Sequence, residues 1–562
     1  MPSMIRITET IQQLVRTALE KMDLTSEVIL EHPSDLSHGD FSCNIAMILA
    51  KEVGKNPKQL AEEIVESLDS HEDIESIEVA GPGFINFRLS EKFFTDTTVS
   101  ILEQKEEWGR NETLTEKKVM VEYTDPNPFK ELHIGHLVPN ALGESLSRLC
   151  EYSGAEVRRV TFQGDVGMHV AKAIWGLQKN GFEAGDSISA ADLGKAYATG
   201  ATTYEEDKEV AEEIKSLNKI IYRRENDAVN ALYDSGKAAS ISYFEEVYQI
   251  LGSNFDHYFF ESVTGPLGQS LVEENIGSVF EKSEGAVIFK GEDYGLHTRV
   301  FINKEGIPTY EAKDIGLILA KREWWPFDTS ITVTGTEQTS YFTVVMKAAE
   351  LLLPEMTGKI KLVSNGMLKL TEGKMSSRTG DVISAVGFIQ DLSNRVAERT
   401  ENKISEKIVQ QVAVGAIKYA ILRNTSGKDI MFDPNSSLSL EGDTGPYLQY
   451  THARAHSILH KAQEQGHQTR VLVEREGVVV SDVERLLYRF KSIVERAATE
   501  YEPHYVANYL AELASAYNSW YASEQVLDGS NSQDYKVGLT SAVAITMKNG
   551  LHLLGIEAPE RM

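Results

Sequence analysis

Residues 118–162 read KVMVEYTDPNPFKELHIGHLVPNALGESLSRLCEYSGAEVRRVTF, and three textures succeed one another within them. Val119-Met120-Val121 is a short apolar run that predicts a strand. Asp125-Pro126-Asn127 predicts a loop. From about Gly135 to Tyr152, Leu137, Ala141, Leu142, Leu146 and Leu149 share one face, which predicts an amphipathic helix. Pro139 falls in or near its first turn, where a missing N–H is harmless, and Gly154 suits its C-terminal cap. Val157–Phe162 then predicts a second strand. Strand, helix and strand in that order open a parallel, nucleotide-binding sheet of Rossmann type.

On the N-terminal side the first 110 residues predict a small α+β unit. Ile5 to Met22, Phe41 to Val53 and Pro57 to Leu68 read as helices, and Pro57 after Asn56 suits a helix start. Ile77–Val79 and Phe84–Leu89 read as short strands around Gly81-Pro82-Gly83. On the C-terminal side, residues of about 176–250 are helical and highly charged and predict an insertion. Strands resume at Phe255–Glu261, Ala286–Phe289 and Thr298–Ile302, with α/β alternation to about 400. From Ser405 onward the pattern is almost wholly amphipathic helix, with a polar loop at roughly 425–442. The expected domains are therefore 1–112, small and α+β; 113–404, an α/β parallel sheet with a helical insertion; and 405–562, an all-α bundle.

The chain of 562 residues is 41% hydrophobic and 25% charged, ordinary for a globular protein. Its net charge of −28 argues against nucleic acid as a partner unless basic patches are local. Residues 411–562, with 14 basic and 18 acidic side chains, are the least hostile part. Cys43 and Cys150 form no C-x-x-C pair, so neither a zinc ribbon nor a disulfide framework is expected. No apolar run reaches the length of a membrane span and no signal peptide is legible, so the expected compartment is the cytoplasm.

Two motifs carry chemistry. His133-Ile134-Gly135-His136 places two imidazoles at a helix N-terminus, whose free N–H groups favour negative charge. Gly135 lets a flat ring come close to the backbone. Some 240 residues later, Lys374-Met375-Ser376-Ser377-Arg378 lies between Gly373 and Gly380. Such a loop can close over a polyphosphate and neutralise charge moving to leaving pyrophosphate.

At this pair of motifs the chain resembles the class I aminoacyl-tRNA synthetases, with their H-I-G-H and K-M-S-K-S signatures. The narrower resemblance is to the arginyl-tRNA synthetase family. It rests on Val121-Glu122-Tyr123-Thr124-Asp125-Pro126-Asn127 with Lys130, on Gln163-Gly164-Asp165-Val166-Gly167, and on Tyr310-Glu311-Ala312-Lys313-Asp314. Gly335-Thr336-Glu337-Gln338, Glu441 to Tyr450 with His452-Ala453-Arg454, and the tail from Gly555 to Met562 extend it. Gly39-Asp40-Phe41 and Gly81 to Asn86 extend it at the N-terminus.

The resemblance implies ligation of L-arginine to tRNA(Arg) through an arginyl-adenylate. It implies ATP bound by His133, Gly135, His136 and Lys374 to Arg378. His133, His136, Lys130, Lys374 and Ser376 become the catalytic candidates. Magnesium arrives with ATP, and no dedicated protein metal site is expected. Arginine is expected on Glu122, Thr124, Asn127, Glu261, Tyr310, Asp314 and Gln338. Tyr310 and Asp314, four apart, should project from one helix face and take up the guanidinium. Residues 1–112 are expected to bind the tRNA D-loop, Phe84 and Asn86 holding a splayed base. The C-terminal bundle is expected to take the anticodon stem and loop through Tyr447, Gln449 and Arg454. The family implies a monomer. The sequence departs from K-M-S-K-S at Ser377, where the class has lysine, and Lys130 is the expected substitute cation. H-I-G-H and K-M-S-S-R alone leave open a synthetase for another amino acid. An inactive paralogue that binds RNA or protein also stays open.

Overall fold

The computed structural model describes residues 7–33, 35–371, 383–401, 403–467 and 479–562. They form two compact units. The first holds Met1–Trp108, Ala455–Phe490 and Glu512–Thr546; the second holds Gly109–Arg454, Lys491–Ala511 and Met547–Met562.

In the first unit, β1 (Leu30–Glu31), β2 (Phe41–Cys43), β3 (Ile74–Ala80) and β4 (Phe84–Leu89) form an antiparallel sheet of order β1-β2-β4-β3. Ile85, Phe87 and Leu89 of β4 point into a core shared with helices Ile7–Lys21, Ile45–Val53 and Pro57–Glu66. The period of two leaves Phe84, Asn86 and Arg88 on the opposite face. The helix expected to begin at Phe41 begins only at Ile45. Phe41 and Cys43 are buried either side of the half-buried Ser42, a strand's alternation, and they pair with Phe87 and Ile85. The Asn56 side chain caps the next helix by accepting from Lys58 N at 2.9 Å. Gly83, at φ 133°, leaves room for Pro57 O, which a Cβ there would meet at 2.8 Å. Val480 and Tyr488, far along the chain, pack on the same core.

The second unit is built on β5 (Lys118–Glu122), β6 (Glu156–Gln163), β7 (His257–Phe260), β11 (Thr329–Gly335) and β12 (Ile360–Asn365), all parallel. Their order is β12-β11-β5-β6-β7. In chain sequence that is 5-4-1-2-3, so the order reverses between β5 and β11. The crevice at the carboxyl ends of those two strands is where doubly wound sheets bind ligands. Between β7 and β11 lies a small antiparallel sheet of β8 (Glu281–Ser283), β9 (Ala286–Phe289) and β10 (Arg299–Ile302). The charged insertion consists of helices Ala190–Glu206, Lys208–Arg223 and Asp227–Leu251, packed with the preceding helix Met168–Lys179 on their own apolar core.

The loop expected at 425–442 contains β14 (Ile430–Phe432), paired with β13 (Leu368–Leu370), and a helical turn Pro434–Ser437. Ile430 and Phe432 are buried while Met431 is exposed, a strand alternation hidden among polar neighbours. Among the described residues, no helix is long and apolar enough to cross a membrane.

Candidate functional site

The helix Leu137–Tyr152 starts through a 3-10 turn at Ile134–His136, with His133 as N-cap in extended conformation. His133 Nδ1 accepts from Gly135 N and His136 Nδ1 accepts from His133 N, each at 3.1 Å. The rings lie 3.9 Å apart between centroids. A Cβ on Gly135 would meet the His133 ring at 2.8 Å, so glycine here makes room for that imidazole. Burial, then His133 beside it, lowers the His136 pKa to about 3; burial and Lys130 lower that of His133. Both rings are neutral at pH 7. Because Nδ1 receives an N–H in each, the remaining proton sits on Nε2. The helix start therefore presents two Nε2–H donors. Lys130, whose Nζ lies 4.9 Å from the Tyr197 ring centre, adds a cation close enough to disfavour protonation of both.

The loop that leads here is backbone-strained. Thr124, Asp125 and Phe129 have φ of 75°, 45° and 67°. A β-branched residue at positive φ is costly and persists only where its surroundings fix it. Asp125 is held by Phe162 N at 2.7 Å, and Thr124 Oγ1 accepts from Asn140 Nδ2 at 3.1 Å.

Beyond the loop lies a cluster of buried charges. Glu122, ending β5, is paired with Lys321. Asp314 accepts from the Tyr341 hydroxyl. Burial, with Glu122 and Glu261 adding repulsion, raises the Asp314 pKa to about 7 against the Tyr341 bond. Glu261 Oε2 accepts from Lys313 Nζ at 2.7 Å. Lys313 Nζ also lies 3.5 Å from Tyr222 Oη and 5.0 Å from the Tyr310 ring centre. Glu122, Asp314 and Glu261 thus share two ammonium groups, Lys321 and Lys313, while burial and the Glu122 charge raise the pKa of a fourth acid, Asp125, and favour its neutral form. A small cavity of about 20 Å³ adjoins Glu122, Asp314, Lys321 and Phe342.

Helix contacts fix this cluster. Lys313 and Asp314 lie on helix Tyr310–Trp324, which crosses helix Glu261–Glu274 at two glycines. A Cβ on Gly268 would meet Ala312 O at 1.7 Å, and one on Gly316 would meet Thr264 O at 2.0 Å. That close crossing brings Lys313 to Glu261. Asp165, fully buried, accepts from Ser262 N (2.8 Å), Ser262 Oγ (2.6 Å), Tyr233 Oη (2.7 Å) and Lys237 Nζ (2.7 Å). It caps the helix start that carries Glu261, from a distant strand end. Asn127 and Glu261 flank Gly164: an added Cβ would meet their oxygens at 2.3 and 3.5 Å.

Several expectations need correction. Glu261 is the first residue of a helix, because the strand ends at Phe260. Tyr310 and Asp314 share a helix but reach different partners. Tyr310 is 69% exposed and lies over Lys313, while Asp314 turns to Tyr341. Gln338 lies in the 3-10 turn after β11, and its Oε1 accepts from Thr334 Oγ1 at 3.1 Å. Gln449 is fully buried, and its Nε2 donates to Gln411 O (3.1 Å) and Glu557 O (2.8 Å). It ties the C-terminal tail down and has no surface to offer tRNA. His452 does the same through Pro559 O at 2.9 Å. Arg454 donates to Tyr450 Oη at 3.1 Å and Tyr447 is half-buried. Phe84 and Asn86 share one face of β4, Asn86 Oδ1 accepting from Ser42 Oγ at 2.7 Å.

Lys374, Met375, Ser376, Ser377 and Arg378 lie outside the described residues. The described chain on the C-terminal side of them is bonded to H-I-G-H: Ile134 N donates to Ile383 O at 3.1 Å and Ala385 N to Leu132 O at 2.8 Å. On the other side Thr371 N donates to Phe432 O at 3.0 Å.

The sequence pattern assigns no role to Lys313 and Asp165, although both lie in the family motifs, and does not point to Lys321, Tyr341 or His169. Lys313 is three residues after Tyr310 and Lys321 seven after Asp314, both same-face helical spacings that a search for counter-ions would find. Asp165 and His169 follow the carboxyl end of β6, the usual place for functional groups. His169 Nε2 bonds Gly164 O at 2.8 Å, and burial followed by Lys130 lowers its pKa to about 4. Tyr341 carries no local signal.

Comparison with known proteins adds the following. Residues 97–434 match the family described as tRNA synthetases class I (R), catalytic domain. Residues 9–89 match the arginyl tRNA synthetase N terminal domain, and 448–562 the DALR anticodon binding domain. The chain is 30% identical to the arginine–tRNA ligase of Treponema denticola, over 99% of this chain and 98% of that one. It is 31% identical to arginine–tRNA ligase 2 of Bacillus anthracis, over 96% and 97%. Among solved structures it resembles the Thermus thermophilus arginyl-tRNA synthetase, with a TM-score of 0.78, 25% identity and full coverage of both chains. The Plasmodium falciparum arginyl-tRNA synthetase shares the fold at a TM-score of 0.79 and 19% identity, also over both whole chains.

Proposed function

The chain belongs to the arginyl-tRNA synthetase family of class I, and from that premise we propose how its side chains divide the reaction. The enzyme joins L-arginine to tRNA in two steps. The arginine carboxylate attacks the α-phosphate of ATP, giving arginyl-adenylate and pyrophosphate. A terminal ribose hydroxyl of tRNA(Arg) then attacks the acyl carbon and AMP leaves.

The observation that carries the assignment of roles is the under-compensated carboxylate cluster of Glu122, Asp314 and Glu261 next to the H-I-G-H helix start. Arginine, with net charge +1, supplies the missing positive charge. Asp314 and Glu261 take the guanidinium with the Tyr310 ring beside it. Glu122, Asn127, Thr124 and Gln338 serve the ammonium end. A neutral side chain leaves the buried acids unpaired, which costs several kcal/mol and selects arginine without editing.

The Nε2–H groups of His133 and His136 donate to phosphate oxygens as charge shifts toward pyrophosphate. Gly135 keeps the His133 ring in place. Lys130 replaces the lysine absent at Ser377, and Lys374, Met375, Ser376 and Arg378 join from the second motif. Magnesium enters with ATP, and no protein cage is assigned to it. Residues 1–112 bind the D-loop through Phe84 and Asn86. Residues 405–562 bind the anticodon arm, with Tyr447 and Arg454 among the contacts. Residues 113–404 do the chemistry. The enzyme works as a cytoplasmic monomer. The roles of the three segments, the compartment and the monomeric state rest on the family resemblance.

Aminoacylation of total tRNA with labelled arginine tests the reading. Charging with arginine alone among the amino acids is expected; charging at background overturns it. For Lys130, a Lys130→Ala enzyme that forms adenylate at the wild-type rate removes that residue from the mechanism.

A further inference from the structure

We propose that Lys313 is an internal placeholder that sets the threshold for substrate binding: without substrate its ammonium occupies the guanidinium seat on Glu261, and arginine must displace it. The inference rests on the reading of Glu261 as an arginine-binding carboxylate.

Lys313 sits where a bound cation is expected. Its Nζ is 2.7 Å from Glu261 Oε2 and 3.5 Å from Tyr222 Oη, with the Tyr310 ring centre at 5.0 Å. Carboxylate, hydroxyl and aromatic face are the three groups that recognise a guanidinium. Both partners of the pair are buried, at 8% and 10% exposure of their side chains. The neighbouring acids are committed elsewhere, Glu122 to Lys321 and Asp314 to Tyr341. Tyr310, at the mouth, is largely exposed, so the lysine stem can move outward along it while its ammonium stays against that ring, and the arginine charge is added to the cluster, with Lys313 still counted in it. The Gly268–Gly316 helix crossing fixes the backbone of Lys313 against Glu261, and Asp165 fixes the start of the Glu261 helix. Only the side chain is left to move.

The consequence for selection follows from the exchange. A guanidinium offers a planar fork that bonds a carboxylate at two points and stacks on Tyr310, so it gains over an ammonium. A lysine substrate exchanges one ammonium for another and gains nothing. A neutral side chain such as that of citrulline cannot replace the charge on Glu261 at all. The shape of the cation sets the ratio of affinities, and the internal lysine sets the threshold that any cation must exceed to bind. In return it lowers the apparent affinity for arginine by the fraction of time the seat is filled.

Calorimetric titration of the full-length enzyme with arginine and with lysine tests the proposal. Lys313→Met empties the seat, and arginine is expected to bind about tenfold tighter if the seat is filled about nine-tenths of the time. Lysine should gain by the same factor, so the arginine-to-lysine ratio holds while both affinities rise. Lys313→Arg puts a better-bound guanidinium in the seat, and arginine should bind roughly tenfold weaker with the thermal midpoint retained. The opposite signs are the signature, and Lys313→Arg alone decides should Lys313→Met fail to fold. Arginine binding that is unchanged or weaker in Lys313→Met, or unchanged in Lys313→Arg, overturns the placeholder. Glu261→Gln separates the two layers. Weaker arginine binding there with no effect at Lys313 sinks the placeholder alone. Unchanged arginine binding in Glu261→Gln sinks the reading of Glu261, and the placeholder with it.

Discussion

Around His133 and His136 the cleft presents neutral donors, whereas around Asp314 it presents carboxylates and ammonium groups in unequal number. The first region is built from local sequence. Four consecutive residues cap a helix and fix each other's tautomers, while the backbone of Ile134 is tied to Ile383 some 250 residues on. The second is assembled from the end of β5, two helices and the distant Tyr341. ATP brings its own charge and needs oriented donors. Arginine brings one net positive charge and needs a site that is one charge short. The difference lets the two substrates be perturbed separately.

The largest separation is expected from Asp314→Asn. Loss of a buried counter-charge costs about 3–5 kcal/mol, so kcat/KM for arginine should fall roughly a thousandfold. The KM for ATP should stay within about twofold. Initial-rate aminoacylation over both substrates measures this; a matching rise in the ATP KM breaks the separation.

His136→Ala is the mirror experiment. Removing one preoriented donor from the phosphate side should lower kcat about a hundredfold and leave the arginine KM in place. Single-turnover adenylate formation with tRNA present reads it directly.

Acid distinguishes the regions in one wild-type enzyme. Asp314, with its pKa raised to about 7, loses its charge as pH falls through that value. The arginine KM should rise about tenfold for each unit below pH 7 and be flat above it. The carboxyl is raised, so its ionisation costs folded-state stability as pH rises from the usual carboxylate range through about 7. Bound arginine offsets that cost. The ATP KM should be flat between about pH 6 and pH 8, since His136 titrates near 3 and His133 is also lowered.

Tyr341→Phe should give the smallest effect. It removes the hydroxyl donor to Asp314, worth about 0.5–1.5 kcal/mol, so the arginine KM at pH 7 should rise roughly three- to tenfold. The pH at which KM turns upward should move higher, because that bond favours the ionised form.

The same contrast explains what was legible in the sequence. The β5–helix–β6 unit and H-I-G-H rest on local periodicity and capping, and the expected and observed elements agree closely. Glu261 was placed in a strand because the apolar run ends at Phe260 without a capping side chain of its own. Its helix is capped by Asp165, almost a hundred residues earlier. The acids of the arginine pocket were found by resemblance, but their counter-ions were not, because burial of Lys313 and Lys321 depends on helix packing. Gln449 and His452 matched a family block, yet their bonds to the tail carbonyls show that this block secures the C-terminus. A shared motif marks a constrained position, and only the partners say whether the constraint is chemical or structural.

The most direct test is proton release on arginine binding, by calorimetry in buffers of different ionisation enthalpy. A pocket one positive charge short, with Asp314 titrating near 7, should release about half a proton at pH 7 and progressively less up to pH 8.5. Asp314→Asn should release none. Wild-type binding at pH 7 with no proton released, or with uptake, would contradict the account.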